Sequence, residues 1–391
     1  MSRSRWLFVD FLRFSAVVLM VQGHTFDAVL SAVERAAPWY QVHSFWHGFT
    51  APMFLFASGI AFGIATLRKW EKHTAWSTAI TRRLRRYGML ILIGYFLHLP
   101  FFSYTKLMNE ASYKHWQSFL ESDALQLIGW CLLICQGLVF LLKKPNRLAW
   151  VLSGLLAGVV LVCPLLWTIP FDDTLPLAVA SYLNGQTGST FPIFPWSGYL
   201  FAGVLTAIWL QPATSRAVST ARLGQVALVG VFLLVTSLGL TLIDATGAVY
   251  GFDVGWRPNP LVFAMRLGTI LSFLGVLYAI ERVIVYRQKR SAPSEGRAVA
   301  AVQLMASETL SIYVAHLMVL YGSVLNLGLI SSVGRTLPIW ASILIFLILF
   351  AGMYGFAWAW SYVKRDRIAW LRFAQVASVL LFGYFFFTNP F

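Results

Sequence analysis

Leu12–His24 reads LRFSAVVLMVQGH. Extended outward to residues 6–29, the run is long enough to cross the hydrocarbon layer, which takes about 20 consecutive apolar residues. Yet it carries an arginine, a glutamine and a histidine. Charged side chains at membrane depth cost several kcal/mol, so they are rare there and face a bundle interior or a wet cavity. The stretch reads as a membrane helix that lines a site.

The rest of the chain agrees. Of 391 residues, 58% are hydrophobic and only 12% charged, against roughly 25% charged in ordinary soluble domains. Apolar runs recur near residues 6–29, 44–67, 86–104, 125–142, 148–169, 192–210, 223–243, 260–284, 303–325, 337–361 and 370–388. The expected fold is an all-α, polytopic transmembrane helix bundle of about 11 spans. Residues 1–391 form one membrane domain in this reading, and the basic N-terminus leads into a retained first helix rather than a cleaved signal.

The net charge of +15 does not mark a nucleic-acid binder, because the cations sit in short clusters between apolar runs. With the N-terminus cytoplasmic, the inside segments hold 22 Lys and Arg and the outside segments five. That loop-by-loop bias sets the orientation. Arg13, Arg266 and Arg282 remain within spans. The polar inside segment 287–302, containing QKRSAPSEGR, reads as a hinge between helix groups. Cys131, Cys135 and Cys163 fall inside apolar runs and lack paired extracellular spacing, so neither disulfides nor zinc are expected.

On a helix advancing 100° per residue, Arg13 and His24 differ by about 20° from three full turns and stand about 16 Å apart along the axis. Asp10 lies one turn before Arg13 and Asp27 one turn after His24, the spacing at which side chains meet. One stripe therefore carries an arginine suited to phosphate or carboxylate and a histidine able to exchange a proton near neutral pH. Two plainer roles stand beside this: Asp10 and Arg13 as a helix-end anchor, and His24 as an interhelical hydrogen-bond partner.

The next run, Val42–Gly63, reads VHSFWHGFTAPMFLFASGIAFG. His43 and His47 are four apart and share a helical face. No third ligand accompanies them, so no metal is expected.

Here the chain resembles a family. Arg13, ten residues, then His24 is similar to the Arg-x10-His signature of integral-membrane acyltransferase-3 proteins, and FLFASG at residues 54–59 resembles their FFxxSG segment. The likeness continues in FPIFPWSGYLFAGV, residues 191–204, and ETLSIYVAHLMVLY, residues 308–321. A second branch of that superfamily, the heparan-α-glucosaminide N-acetyltransferase-like proteins, is echoed by HSFWHGF at residues 43–49, where their pattern is His-x-x-Trp-Asn-Gly. The chain departs from it in placing His47 where the asparagine stands, and Thr50, Ala51 and Pro52 where an aspartate is usual.

The resemblance implies a ten-helix acyltransferase core plus one helix, and transfer of an acetyl or other acyl group from acyl-CoA to a hydroxyl or amine of a glycan or glycolipid across the bilayer. The first branch makes His24 the catalytic histidine and the second makes it His43; Asp27 would orient His24. Arg13, Arg82, Arg83, Arg85 and Arg86 are the candidates for the coenzyme's phosphates and adenine. His47, Trp196 and His316 are candidate acceptor contacts. A bacterial inner membrane and a possible homo-oligomer complete the expectation. The rivals are a solute transporter, although no paired-halves symmetry is visible, and a non-enzymatic membrane protein.

Overall fold

A computed structural model describes residues 6–211, 216–288 and 295–390. Of the predicted cytoplasmic cations, Arg3, Arg5, Lys289 and Arg290 lie outside the described residues, as does the centre of the expected hinge. The principal helices are α1 (Leu7–Val29), α2 (Pro38–His47), α3 (Thr50–Leu67), α4 (Thr78–Leu97), α5 (Ala124–Leu142), α6 (Pro145–Leu161) and α7 (Ile193–Leu210). They continue with α8 (Arg216–Leu242), α9 (Pro260–Gln288), α10 (Glu295–Ser307), α11 (Thr309–Tyr321), α12 (Ile339–Asp366) and α13 (Ile368–Thr388).

The chain is all-α and polytopic. Among the described residues, eight spans are long and apolar enough to cross a membrane, with α2 and α3 together making one of them, and the bent pair α10–α11 makes a ninth. Helix α6 is shorter and apolar. Helix α4 begins TAITRRLRRYG, so its first half is cationic and only its second half is apolar. The eleven expected spans thus each overlap a helix, although two of them fall short of a full apolar crossing.

Two segments differ from expectation. The hinge does not extend to residue 302: α10 starts at Glu295, because GRAVAAVQLMAS is rich in strong helix formers. The run 303–325 is not one straight helix but bends by 73° between α10 and α11. At the bend the Ser307 hydroxyl donates to the Leu304 carbonyl and the Thr309 hydroxyl to that of Ala306. Side-chain hydroxyls there compete for the backbone acceptors that a continuous helix would use.

The chain groups into two compact units. The first holds Met1–Thr50, Leu97–Phe119 and Val285–Phe391; the second holds Ala51–Phe96 and Leu120–Ile284.

In the first unit, α1 packs against α2, α10, α11, α12 and the short helix Leu329–Val333. Ala28, Val29 and Leu320 are fully buried where these elements meet, among Tyr321, Ile330, Leu337 and Leu349. The end of α1 is pinned by backbone hydrogen bonds from Leu337 to Val29 and from Ser31 to Leu337. The C-terminus is tied down through Asn389, whose side chain donates to the Phe102 carbonyl and whose own carbonyl accepts from Ser103.

In the second unit, α7 packs on α5 and α6, and α3 meets α7 backbone to backbone. A Cβ on Gly203 would overlap the Phe56 carbonyl, and one on Gly59 the Leu200 carbonyl. Small residues at such crossings let membrane helices approach closely enough for dispersion contacts to hold them. FLFASG and FPIFPWSGYLFAGV, two motifs quoted for the resemblance, are therefore the two faces of one helix crossing.

Candidate active site

The site grows out of α1 and its neighbours in the first unit. Gly23 sits inside the helix, where glycine costs about 1 kcal/mol against alanine. Its position is explained by His47 of α2, whose imidazole occupies the space that a Gly23 Cβ would fill. The missing side chain lets His47 press against α1 beside His24. The two rings lie edge to face with centroids 6.0 Å apart, and His316 of α11 brings its ring to 5.3 Å from that of His24. His43, one turn before His47, stacks on it at 6.0 Å with nearly parallel planes.

Hydrogen bonds fix the tautomers. Tyr321, at the end of α11, donates its hydroxyl to Asp27 Oδ2 at 2.8 Å. With that proton committed, the Tyr321 oxygen can only accept from His24 Nδ1, 3.3 Å away. This contact favours the tautomer of His24 with its proton on Nδ1, in which Nε2 is the basic nitrogen. Asp27 is itself gripped by two guanidiniums, Arg35 at 3.1 Å and Arg335 at 3.2 Å. Arg35 also donates to the Leu30 and Phe26 carbonyls, so it closes the end of α1 as well as pairing with Asp27.

His316 is fully buried, and its Nδ1 donates to the Ile312 carbonyl at 2.8 Å. Its Nε2 has no hydrogen-bond partner among the described residues. His43 Nε2 faces the Gln22 side-chain oxygen at 2.9 Å, which leaves Nδ1 buried and also without a partner among the described residues. A buried polar atom with no partner costs about 1–3 kcal/mol, so each calls for an explanation such as a bound water, an ion or a catalytic role.

The predicted site residues fall into separate groups. His24, Asp27, His43, His47 and His316 come together in the first unit. Asp27 reaches His24 through Tyr321, so the orienting contact is relayed rather than made by the carboxylate of a simple triad. Arg13, half-buried, lies on the uninterrupted helix α1, about 16 Å below His24 by helical rise. Tyr321, Arg35 and Arg335 are the members that sequence reasoning missed. Tyr321 closes a quoted motif, yet nothing in the sequence paired a residue near position 320 with one near 27.

Trp196 and the arginine cluster belong to the second unit. Arg83 donates to the Thr66 hydroxyl at 3.0 Å and the Gln136 oxygen at 3.2 Å, and Gln136 donates in turn to the His73 carbonyl. This arginine ties three elements together. Burial and the neighbouring Arg83 hold His73 below the usual histidine range. Arg82, Arg85 and Arg86 are exposed. Trp196 is buried, edge-on to Phe191 at 4.9 Å, rather than displayed as an open stacking platform.

A family model described as heparan-alpha-glucosaminide N-acetyltransferase, catalytic, matches residues 5–243, more than half of the chain. Arg13, His24, Asp27, His43, His47, the arginine cluster and Trp196 lie inside the match, whereas His316, Tyr321 and Arg335 lie beyond it. No curated protein matches the chain.

Proposed function

Because the chain belongs to the family of heparan-alpha-glucosaminide N-acetyltransferase catalytic domains and is an integral membrane protein, we propose that it moves acetyl from cytosolic acetyl-CoA to an amine or hydroxyl of a glycan or glycolipid at the outer face. An acyl-CoA of similar size is the variant donor. A bacterial inner membrane is the proposed location, and association with further copies is compatible with it.

One observation supports this reading: Tyr321 links Asp27 to the His24 ring, and two further imidazoles stand beside that ring. In the proposed step, His24 Nε2 takes the proton of the acceptor N–H or O–H. The freed nitrogen or oxygen attacks the thioester carbonyl carbon, the C–S bond breaks, and the coenzyme thiolate regains a proton from the imidazolium. A positioned base contributes typically about 10²–10⁴-fold to such a step. Asp27 and Tyr321 orient the imidazole, and Arg35 and Arg335 hold the Asp27 carboxylate in place. Arg13 is proposed to grip a donor phosphate, and separately Arg82, Arg85 and Arg86 offer charge to the coenzyme; Arg83, already bonded within its own unit, is the weakest of these candidates.

A second assignment has one observation in its favour, the unpartnered buried Nδ1 of His43. The two are separable. Purified full-length protein in nanodiscs, given labelled acetyl-CoA and glucosamine, is expected to release coenzyme A and form the acetylated sugar. His24→Ala should abolish transfer, while His43→Ala should leave a measurable rate. The reverse pattern moves the base to His43, and a folded wild type that releases no coenzyme A ends the acetyltransfer reading.

A further inference from the structure

Helix α2 presents two chemically different faces. His43 and His47 turn toward α1, where His47 fills the space beside Gly23 and His43 meets the Gln22 oxygen at 2.9 Å. Away from them, Val42, Phe45 and Trp46 are 60%, 38% and 53% exposed. At 100° per residue these three fall within about 100° of arc, centred about 130° from the two histidines. Phe45 and Trp46 touch each other and Phe49, with ring centroids 5.4 to 5.6 Å apart, so they form one aromatic patch.

The charges at the end of α1 mark the depth of the site. Asp27, Arg35 and Arg335 pair there with their side chains partly open to solvent, and three such charges belong at the level of headgroups and water. Tyr40 joins that boundary, with the Arg35 guanidinium 5.7 Å from its ring centroid and Trp39 packed beside it; tryptophan and tyrosine are the residues of membrane interfaces. His24 lies one turn below Asp27, about 4.5 Å along the axis. The imidazoles therefore stand at headgroup depth. A sugar carried on a lipid is already held at that depth, which raises its effective concentration at the site over that of a free glycan.

We propose that the acceptor is a glycolipid, whose sugar reaches the imidazoles on one side of α2 while its hydrocarbon chain lies on Val42, Phe45 and Trp46. The two faces are separated by about 11 Å of arc on a helix about 10 Å across, the reach of a sugar ring with the first carbons of its chain. Burial of methylenes against the patch supplies the affinity, and its continuity with the histidines on one short helix couples chain to head. This class of acceptor rests on the acetyl-transfer reading for the fate of the sugar, but the chain contact needs no donor. Ordinary bilayer lipid and a second copy of the chain are the competing occupants of the face.

The first arm of the test uses the wild type with no donor. Full-length protein in phosphatidylcholine nanodiscs is irradiated with octyl β-glucosaminide bearing a diazirine on its chain, and the labelled peptides are mapped by mass spectrometry. Label is expected on residues 38–49, and an excess of unmodified octyl glucosaminide should remove it where octanol does not. Competition by octanol alone to the same extent, the behaviour of a face covered by bulk lipid, overturns the proposal. So does the absence of label from this segment, the result when a second copy covers it. In the second arm, with acetyl-CoA present, kcat/KM for the octyl sugar should exceed that for methyl β-glucosaminide by about tenfold or more, the gain from burying about two methylenes. The double change Phe45→Gln with Trp46→Gln should remove most of that ratio. Partition of the sugars into the bilayer is the same for both proteins, so a ratio that survives the double change also overturns the proposal. Labelling as expected in a protein that acetylates neither sugar would instead count against the acetyltransfer reading alone.

Discussion

At the scale of single residues, the site is decided by which hydrogen each imidazole carries. Tyr321→Phe removes the hydroxyl that links His24 to Asp27 while keeping the ring. The expected result is a fall in kcat of about 10- to 100-fold, the worth of a hydrogen bond tied to a charge, with donor KM little changed. A steady-state comparison of the two proteins checks it, and an unchanged kcat would show that the relay is only structural. Gly23→Ala has a different signature. The new methyl collides with the His47 ring, so His47 must leave α1, and overpacking of this kind costs about 1–3 kcal/mol. Activity and thermal stability in detergent should fall together, and an alanine variant of wild-type stability would mean that the His47 ring moves aside freely. Arg13 is tested by Arg13→Ala, which should raise donor KM with little change in kcat if it grips a phosphate.

At the scale of elements, two devices hold the helices where the site needs them. Helix α3 meets α7 through Gly59 and Gly203, and Gly203→Val should separate the pair, seen as a drop in detergent melting temperature. Survival at wild-type temperature would show that the crossing can relax. The second device is the bend before α11, where buried Glu308 pairs with Lys364 of α12. Removing one partner of a buried ion pair leaves the other charge uncompensated. Lys364→Met should therefore destabilise the protein more than the double change Lys364→Met with Glu308→Gln, and a thermal-shift double-mutant cycle reads the difference. That bend was illegible in the hydropathy of residues 303–325, which is continuous; the hydroxyl and carboxylate chemistry of Ser307, Glu308 and Thr309 breaks the helix without breaking the apolar run.

At the scale of the whole molecule, the cations set an expectation about orientation. Single cysteines placed at Arg335 and at Lys143 in a cysteine-free background should react with a membrane-impermeant maleimide from opposite sides of intact cells, Arg335 from outside. Labelling of both from one side would overturn the orientation on which cross-membrane transfer depends. The all-α, polytopic character, the approximate helix positions and the polar stripe of α1 are legible in the sequence alone, because apolar run length and the 3.6-residue period are local properties of the chain. The sequence also brought His43, His47 and His316 forward as residue types. Helix packing, by contrast, set His47 and His316 against His24 with His43 stacked on His47, linked Asp27 to His24 through Tyr321, and buried Arg266 beside two tryptophans. Each of those is a contact between residues far apart in the chain, fixed by how helices pack, and packing depends on shape matched across several elements at once rather than on any one stretch.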